Sequence, residues 1–245
     1  MNEVVLTLDV DWAPDFVWRA VAEEIASRRV RATWFVTHPS PVLDELRAAP
    51  ELHELGIHPN FLPGTTHGDD VDGVLAHLLE IVPEARCSRS HGLLQWGDLF
   101  RALLDTPIRL DSSTFLPGLA GVVPLRQWRA GESLTRVPFT FADDHELENP
   151  EPSWDLEAHV TGRGLEVFDF HPVHVYLNSS GPDAYAELKG EAGDLREAGP
   201  ELLDRHVYTG RGTKTLFLAV LDHLAGAGGG RRLSDLDVPA AKPAR

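Results

Sequence analysis

Two carboxylates close the first strand-like segment of the chain. Successive side chains of a strand point to opposite faces, so Asp9 and Asp11 share one face of the strand predicted over residues 4–11. Side-by-side carboxylates are costly at a strand end unless a cation or hydrogen-bond donors compensate them. The pair could simply open a loop, but it also predicts a site for a cation and for acid–base chemistry.

Later segments repeat this pattern in chain order. Histidine, arginine or aspartate follows or closes a short strand-like run at residues 56–61, 88–91, 110–113 and 168–174. In sheets flanked by helices, the carboxyl ends of the strands are where chemistry is usually housed. This recurrence favours one site built from several strand ends over a set of unrelated loops.

Strand and helix patterns alternate along most of the chain. Strands are predicted at residues 4–11, 32–37, 55–58, 87–90, 108–112 and 165–171. Helices are predicted at residues 15–28, 41–48, 71–81, 96–104 and 213–224. Residues 122–141 are expected to form an irregular β excursion. Repeated β–α units predict an α/β fold with parallel strands and outer helices.

The domain prediction is one unit over residues 1–225. Residues 226–245 contain three consecutive glycines and two late prolines, and are expected to form a flexible C-terminal tail. A chain of 245 residues with 42% hydrophobic residues can bury a sizeable core. The segment Met1–Glu3 runs directly into the first strand, so we expect a cytoplasmic protein without a signal peptide.

Composition also restricts the partners. A net charge of −16 argues against binding of nucleic-acid phosphates, which needs a basic face. No apolar run approaches membrane-spanning length, and one cysteine excludes an internal disulfide framework. The expected partner is a small-molecule or saccharide substrate, and the oligomeric state stays open.

The ordered motifs resemble the metal-dependent polysaccharide deacetylases of the NodB-homology type (carbohydrate esterase family 4). The resemblance covers residue 4 to about 175, and the branch called WbmS-like is the nearest fit. The segments that match its five motifs are Leu8–Asp11, Glu54–His58, Arg89, Leu110–Ser113 and Phe170–Pro172. The resemblance implies an irregular barrel of the (β/α)7 type.

The resemblance also implies a role for each motif residue. Asp9 would be the base, Asp11 and His58 would hold a divalent metal, Arg89 would steady Asp9, and His171 would be the acid. This set would remove an acetyl (N-acyl) group from an amino sugar or saccharide-like substrate. Zinc suits the donors, with nickel, cobalt or manganese as alternatives.

One expected metal ligand is missing from this sequence. The family pattern has a second histidine four residues after the first, where this chain has Leu62. Asn60 lies on the same strand face as His58, and His67 lies in the following loop. We favour Asn60 as the third ligand, because it needs no loop rearrangement, and we keep His67 as the alternative.

The remaining site predictions concern residues that would contact the substrate or His171. Residues expected to contact the substrate are Trp12, His91, Asp111 and Asp144. Either Asp169 or Asp111 could raise the pKa of His171. Two other functions fit the same barrel, namely a metal-independent hydrolase of a cyclic amide or ureide, and a non-catalytic saccharide-binding protein.

Overall fold

The structure is a computed structural model that describes residues 2–238. Its strands are β1 (Asn2–Asp9), β2 (Ala32–Val36), β3 (His53–Ile57), β4 (Cys87–Ser88), β5 (Leu110–Asp111), β6 (Leu125–Arg129), β7 (Glu132–Arg136), β8 (Phe141–Ala142) and β9 (Gly164–Phe170). Its α-helices are α1 (Asp15–Ser27), α2 (Val42–Arg47), α3 (Val71–Ile81), α4 (Gly97–Leu104), α5 (Asp143–Leu147), α6 (Pro172–Leu177), α7 (Asp183–Ala192), α8 (Pro200–Asp204) and α9 (Thr213–Gly226).

The strands form one curled sheet in the order β6-β7-β5-β4-β3-β2-β1-β9-β8. All pairings are parallel except the β6–β7 hairpin, which lies in the region predicted as an irregular β excursion. The extended run over residues 132–142 pairs with β5 through β7 and with β9 through β8. This run therefore bridges the two sides of the sheet, and the predicted irregular α/β barrel is confirmed.

Strand alternation separates the core into two layers. Val4, Leu6 and Leu8 of β1 belong to the larger hydrophobic cluster, which also contains the buried face of α1. Val5 belongs to a smaller cluster on the other face of the sheet. Thr7 and Asp9 follow Val5 on that inner face, so the first carboxylate points into the barrel because of its register.

Residues 229–238, which the sequence assigned to a flexible tail, pack against the barrel. The Gly229 carbonyl accepts a hydrogen bond from the Arg31 N–H at 2.7 Å. Leu233 is buried in the inner cluster, and its N–H donates to Thr33 Oγ1 at 2.9 Å. Gly229 and Gly230 adopt φ values of 90° and 70°, which a residue with a Cβ rarely takes, so the glycines form a turn. Residues 239–245 lie outside the described residues.

Within residues 2–238, no helix combines the length and the apolar character needed to cross a membrane.

Candidate active site

The carboxyl ends of the strands surround a cavity of about 260 Å³. Six of the predicted site residues line it, namely Asp9, Asp11, His58, His91, Asp144 and His171. Arg89 is fully buried and contacts Asp9 from beneath. The predicted strand-end residues are therefore brought together at one end of the barrel.

Asp11, His58 and His91 form a triangle of possible metal ligands. The Asp11 Oδ1 atom lies 3.2 Å from His58 Nε2 and 3.1 Å from His91 Nδ1. The two histidine nitrogens are 3.3 Å apart. Ligand bonds of roughly 2.0–2.2 Å separate donors by about 3.3–3.6 Å in tetrahedral and about 2.8–3.1 Å in octahedral coordination. The three donors therefore fit a single divalent ion.

The tautomer of His58 is set by a backbone contact. His58 Nδ1 lies 2.7 Å from the carbonyl oxygen of Arg89, which can only accept, so Nδ1 carries the proton. The Nε2 lone pair of His58 is then free and faces Asp11. Metal-binding histidines are commonly oriented in this way by a carbonyl on the other ring nitrogen.

Asp11 and Trp12 share an unusual backbone conformation. Their φ values are 39° and 58°, in the left-handed region that residues other than glycine seldom occupy. The Trp12 indole packs edge-on against the His91 ring, with centroids 5.2 Å apart, and also contacts His67. Trp12 is not among the cavity-lining residues. The structure thus gives Trp12 a place behind His91, and not the substrate contact predicted from the sequence.

The charge balance around Asp11 favours its ionised form. Burial raises the pKa of Asp11, but the neighbouring His58 and His91 imidazoles and the charge of His171 outweigh burial. The pKa of Asp11 is consequently well below its usual value. An ionised carboxylate beside two imidazoles is the donor set that zinc and similar divalent ions prefer.

Arg89 connects two buried carboxylates under the cavity. Its Nη1 donates to Asp9 Oδ1 at 2.9 Å and also to Asp169 Oδ1. Its guanidinium is stacked between the Phe35 and Phe139 rings, at 4.6 and 4.3 Å from their centroids. Burial raises the pKa of Asp169 well above its usual value, although the charge of Arg89 acts to lower it. Arg89 therefore holds the Asp9 carboxylate in place by a hydrogen bond.

Asp143 is the partner of His171. The Asp143 carboxylate accepts from the backbone N–H of His171 at 2.9 Å, and its other oxygen lies 2.6 Å from His171 Nδ1. The Nε2 atom of His171 faces the cavity, 3.6 Å from Asp11 Oδ2. Burial lowers the pKa of His171, but the charges of Asp143 and Asp144 outweigh it and raise this pKa well above 6.5.

This pairing corrects the predicted partners of His171. Asp169 contacts Arg89 and Thr7 instead. Asp111 accepts from the Ser113 N–H at 3.0 Å and forms an ion pair with Arg136. Asp111 is also absent from the cavity wall, so the predicted substrate contact by Asp111 is replaced by a structural ion pair.

The third corner of the ligand triangle is His91, and not Asn60. The Asn60 amide oxygen accepts from the Leu62 N–H at 3.0 Å, which directs it into its own turn. His67 Nδ1 accepts from the Asn60 N–H at 3.1 Å, and burial lowers the pKa of His67 to about 4. Neither residue lines the cavity. His91 reaches the triangle because Ser90–Leu93 forms a tight turn after β4, which strand alternation could not reveal.

The mouth of the cavity combines an acidic rim with an aromatic wall. Asp144 and Glu148 are exposed and stand four residues apart on and just after α5. Phe115 is stacked on Phe139 with ring centroids 4.7 Å apart. The sequence predicted Asp144 near the substrate, but it gave no signal that Asp143 pairs with His171 or that Glu148 and Phe115 line the cavity. Only the long-range pairing of β8 with β9 brings α5 to this place.

The fold and this site define a hydrolase of the NodB-homology deacetylase class, which acts on carbon–nitrogen (amide) bonds. The model of the family described as WbmS-like, polysaccharide deacetylase, matches residues 6–189, and the chain belongs to this family. No curated protein sequence matches the chain.

Two solved structures share the fold. One is from Bordetella bronchiseptica and is assigned as a polysaccharide deacetylase involved in O-antigen biosynthesis. It is 33% identical, with 90% of each chain covered and a TM-score of 0.77. The other, assigned as a polysaccharide deacetylase from Mycobacterium smegmatis, is 17% identical, with 100% of this chain and 95% of that chain covered and a TM-score of 0.52.

Proposed function

We propose that the protein removes an acetyl (N-acyl) group from an amino sugar or saccharide-like substrate with the help of a divalent ion. The ligand triangle of Asp11, His58 and His91 is the observation that carries this proposal. Its donors are 3.1–3.3 Å apart, and the His58 donor is the unprotonated Nε2 atom.

The ion would be held by one carboxylate and two imidazoles. When bound, such an ion polarises the acyl carbonyl and lowers the pKa of the attacking water. Zinc is the first candidate for this donor set, and nickel, cobalt and manganese accept the same ligands.

Asp9 serves as the base in this proposal. It lines the cavity, and its Oδ2 atom lies 3.5 Å from His58 Nε2. Asp9 therefore reaches the water that attacks the acyl carbon and takes its proton. Arg89 donates a hydrogen bond to the other oxygen of Asp9 at 2.9 Å and so fixes the orientation of this carboxylate.

His171 serves as the acid. The leaving amine needs a proton when the carbon–nitrogen bond breaks, and the Nε2 of His171 faces the cavity opposite the ligand triangle. Asp143 fixes the ring through Nδ1 and favours the protonated imidazole. The base and the acid thus have partners of opposite charge, because Arg89 neighbours Asp9 and Asp143 neighbours His171.

The cavity wall favours an uncharged or amine-bearing sugar in the site. Five carboxylates line the cavity, namely Asp9, Asp11, Asp144, Glu148 and Asp169, and no lysine or arginine of the described residues does. Phosphate or carboxylate groups on the reacting sugar would be repelled there. The rim carboxylates can receive the ammonium group of the product.

The test is acetate release by protein purified without a histidine tag, stripped with a chelator and reloaded with zinc. N-acetylglucosamine oligomers serve as substrates, and the Asp9→Asn variant is the control. Metal-dependent acetate release that Asp9→Asn loses supports the proposal. Release that is unaffected by the chelator, or hydrolysis of cyclic ureides alone, would favour metal-independent chemistry and contradict it. Absence of zinc binding would refute the metal site.

A further inference from the structure

The two imidazoles of the ligand triangle are oriented by different contacts. His58 is fixed through the ring nitrogen that does not face the triangle, because its Nδ1 lies 2.7 Å from the Arg89 carbonyl oxygen. His91 faces the triangle with Nδ1, and both hydrogen-bond contacts of its ring within residues 2–238 involve that same nitrogen. Within these residues, the His91 ring therefore lacks the contact on its second nitrogen that usually orients a metal-binding histidine.

The backbone fixes where the His91 side chain starts, but not the direction of its ring. The His91 N–H donates to the Pro59 carbonyl at 2.9 Å, which anchors the chain at this residue. The His91 side chain is 24% exposed, so burial alone does not restrict its rotamer. Ordering a free ring when an ion binds costs conformational entropy, whereas a ring that is already oriented binds more tightly.

Two neighbouring rings confine the imidazole of His91. The Trp12 indole and the His58 ring are both nearly perpendicular to it, at interplanar angles of 84° and 87°, with centroids 5.2 and 5.3 Å away. Aromatic contacts of this geometry and separation are favourable. His58 belongs to the ligand triangle itself, so the Trp12 contact is the one that reaches His91 from outside the triangle.

Trp12 is in turn held in place by its own neighbours. Its backbone N–H donates a long hydrogen bond of 3.4 Å to Thr37 Oγ1, and its φ of 58° is a conformation that persists only where the surroundings determine it. The indole contacts the ring of His67, with centroids 5.9 Å apart. His67 is 3% exposed, and its Nδ1 accepts from the Asn60 N–H at 3.1 Å. The support of His91 thus extends through Trp12 to the loop after β3.

We propose that Trp12 is a positioning residue that holds the His91 imidazole in the orientation needed for metal binding. This inference rests on the proposed metal-dependent function. The aromatic contact takes the place of the hydrogen bond that the His91 ring lacks, and it limits the freedom of the ring before the ion binds. Trp12 offers no metal-binding atom and is not among the cavity-lining residues, so it acts through His91.

The experiment measures zinc affinity, by competition with a chromophoric chelator, in Trp12→Ala, Trp12→Phe and Trp96→Ala. We expect Trp12→Ala to bind zinc about 10–100-fold more weakly than wild type. Trp12→Phe should stay within about threefold of wild type, because its ring can still pack against His91. Trp96→Ala is the matched control and should bind like wild type, because Trp96 is 40% exposed, contacts Phe61 and does not line the cavity.

A double variant separates positioning from a general effect on stability. When Trp12→Ala is added to His91→Ala, zinc affinity should fall no further than in His91→Ala alone, because the ring that Trp12 holds is already gone. A residue that merely stabilises the surrounding fold would instead lower the affinity by the same factor in both backgrounds.

Wild-type zinc affinity in Trp12→Ala would overturn the inference. Equal losses in Trp12→Ala and Trp12→Phe would also overturn it, because ring packing would then not be the cause, and so would additive losses in the double variant. Failure of the proposed function is seen in the wild-type protein instead. Zinc binding without acetate release would refute the deacetylase function and leave the Trp12 result to stand, whereas absence of zinc binding by wild type would refute both.

Discussion

His58 donates a hydrogen bond from Nδ1 to the backbone carbonyl of Arg89 at 2.7 Å. The Arg89 side chain meanwhile donates to Asp9 at 2.9 Å. Arg89, the residue that follows β4, thus orients the proposed metal ligand His58 through its carbonyl and the proposed base Asp9 through its guanidinium. In the proposed reaction, ion binding and proton transfer would therefore both depend on the position of this one buried arginine.

The ligand triangle predicts which substitutions remove the metal. His91→Ala should weaken zinc binding by about a hundredfold or more, because it deletes one of three protein donors. Asn60→Ala should leave zinc affinity within a few fold, because the Asn60 amide bonds Leu62 and not the site. Competition with a chromophoric chelator measures both affinities. Equal losses in the two variants would contradict His91 as the third ligand.

Asp9→Asn should separate metal binding from turnover. The amide keeps the size of Asp9 but cannot accept the proton, so kcat should fall by about 10²–10⁴-fold. Zinc content should stay at the wild-type level, because Asp9 is not a corner of the triangle. The matched variant Asp11→Asn should lose zinc and activity together. Full turnover by Asp9→Asn on a confirmed substrate would mean that Asp9 is not the base.

Asp143→Asn should impair the acid. The substitution removes the negative charge beside His171 Nδ1, so the imidazolium is less stable and its pKa falls. Because the acid must be protonated, the alkaline limb of the kcat profile should move to lower pH, and kcat should drop by about 10²-fold or more. Asp111→Asn is the control, since Asp111 pairs with Arg136 away from the cavity. An unmoved alkaline limb in Asp143→Asn would contradict this pairing.

Local sequence patterns predicted most of the helices and strands of the fold. The helix predicted at residues 71–81 is observed as α3 (Val71–Ile81), and the one predicted at residues 15–28 is observed as α1 (Asp15–Ser27). Their apolar spacing is a local property of the sequence. The inward direction of Asp9 also follows from alternation along β1.

Long-range placement explains the sites that the sequence did not reveal. Asp143 meets His171 only because β8 pairs with β9 across the barrel. His91 joins Asp11 because the chain turns after Ser90, with Gly92 and Leu93 both at positive φ. The glycines before Leu233 indicated fraying, yet they form the turn that returns Leu233 to the inner core. None of these contacts has a periodic signal in sequence.

The last prediction concerns stability and pH, far from the reaction. His53, at the start of β3, accepts a hydrogen bond from Trp34 Nε1 at 3.2 Å. Burial lowers the pKa of His53 to about 4, although the charge of Glu51 acts in the opposite direction. The unfolded chain binds this proton near pH 6.5, so the neutral ring stabilises the fold above that pH. This contribution to the free energy of unfolding is lost as the pH falls from 6.5 to 4. Its upper limit is about 3 kcal/mol.

His53→Asn offers an acceptor to Trp34 but cannot titrate. The free energy of unfolding of this variant, measured by urea denaturation at pH 7 and pH 4.5, should therefore depend less on pH than that of wild type. Other buried histidines titrate in both proteins, so the difference between the two isolates His53. His223→Asn, at an exposed position on α9, is the matched control and should follow the wild-type slope. If His53→Asn shows the wild-type pH dependence, the buried neutral state of His53 contributes nothing to acid stability.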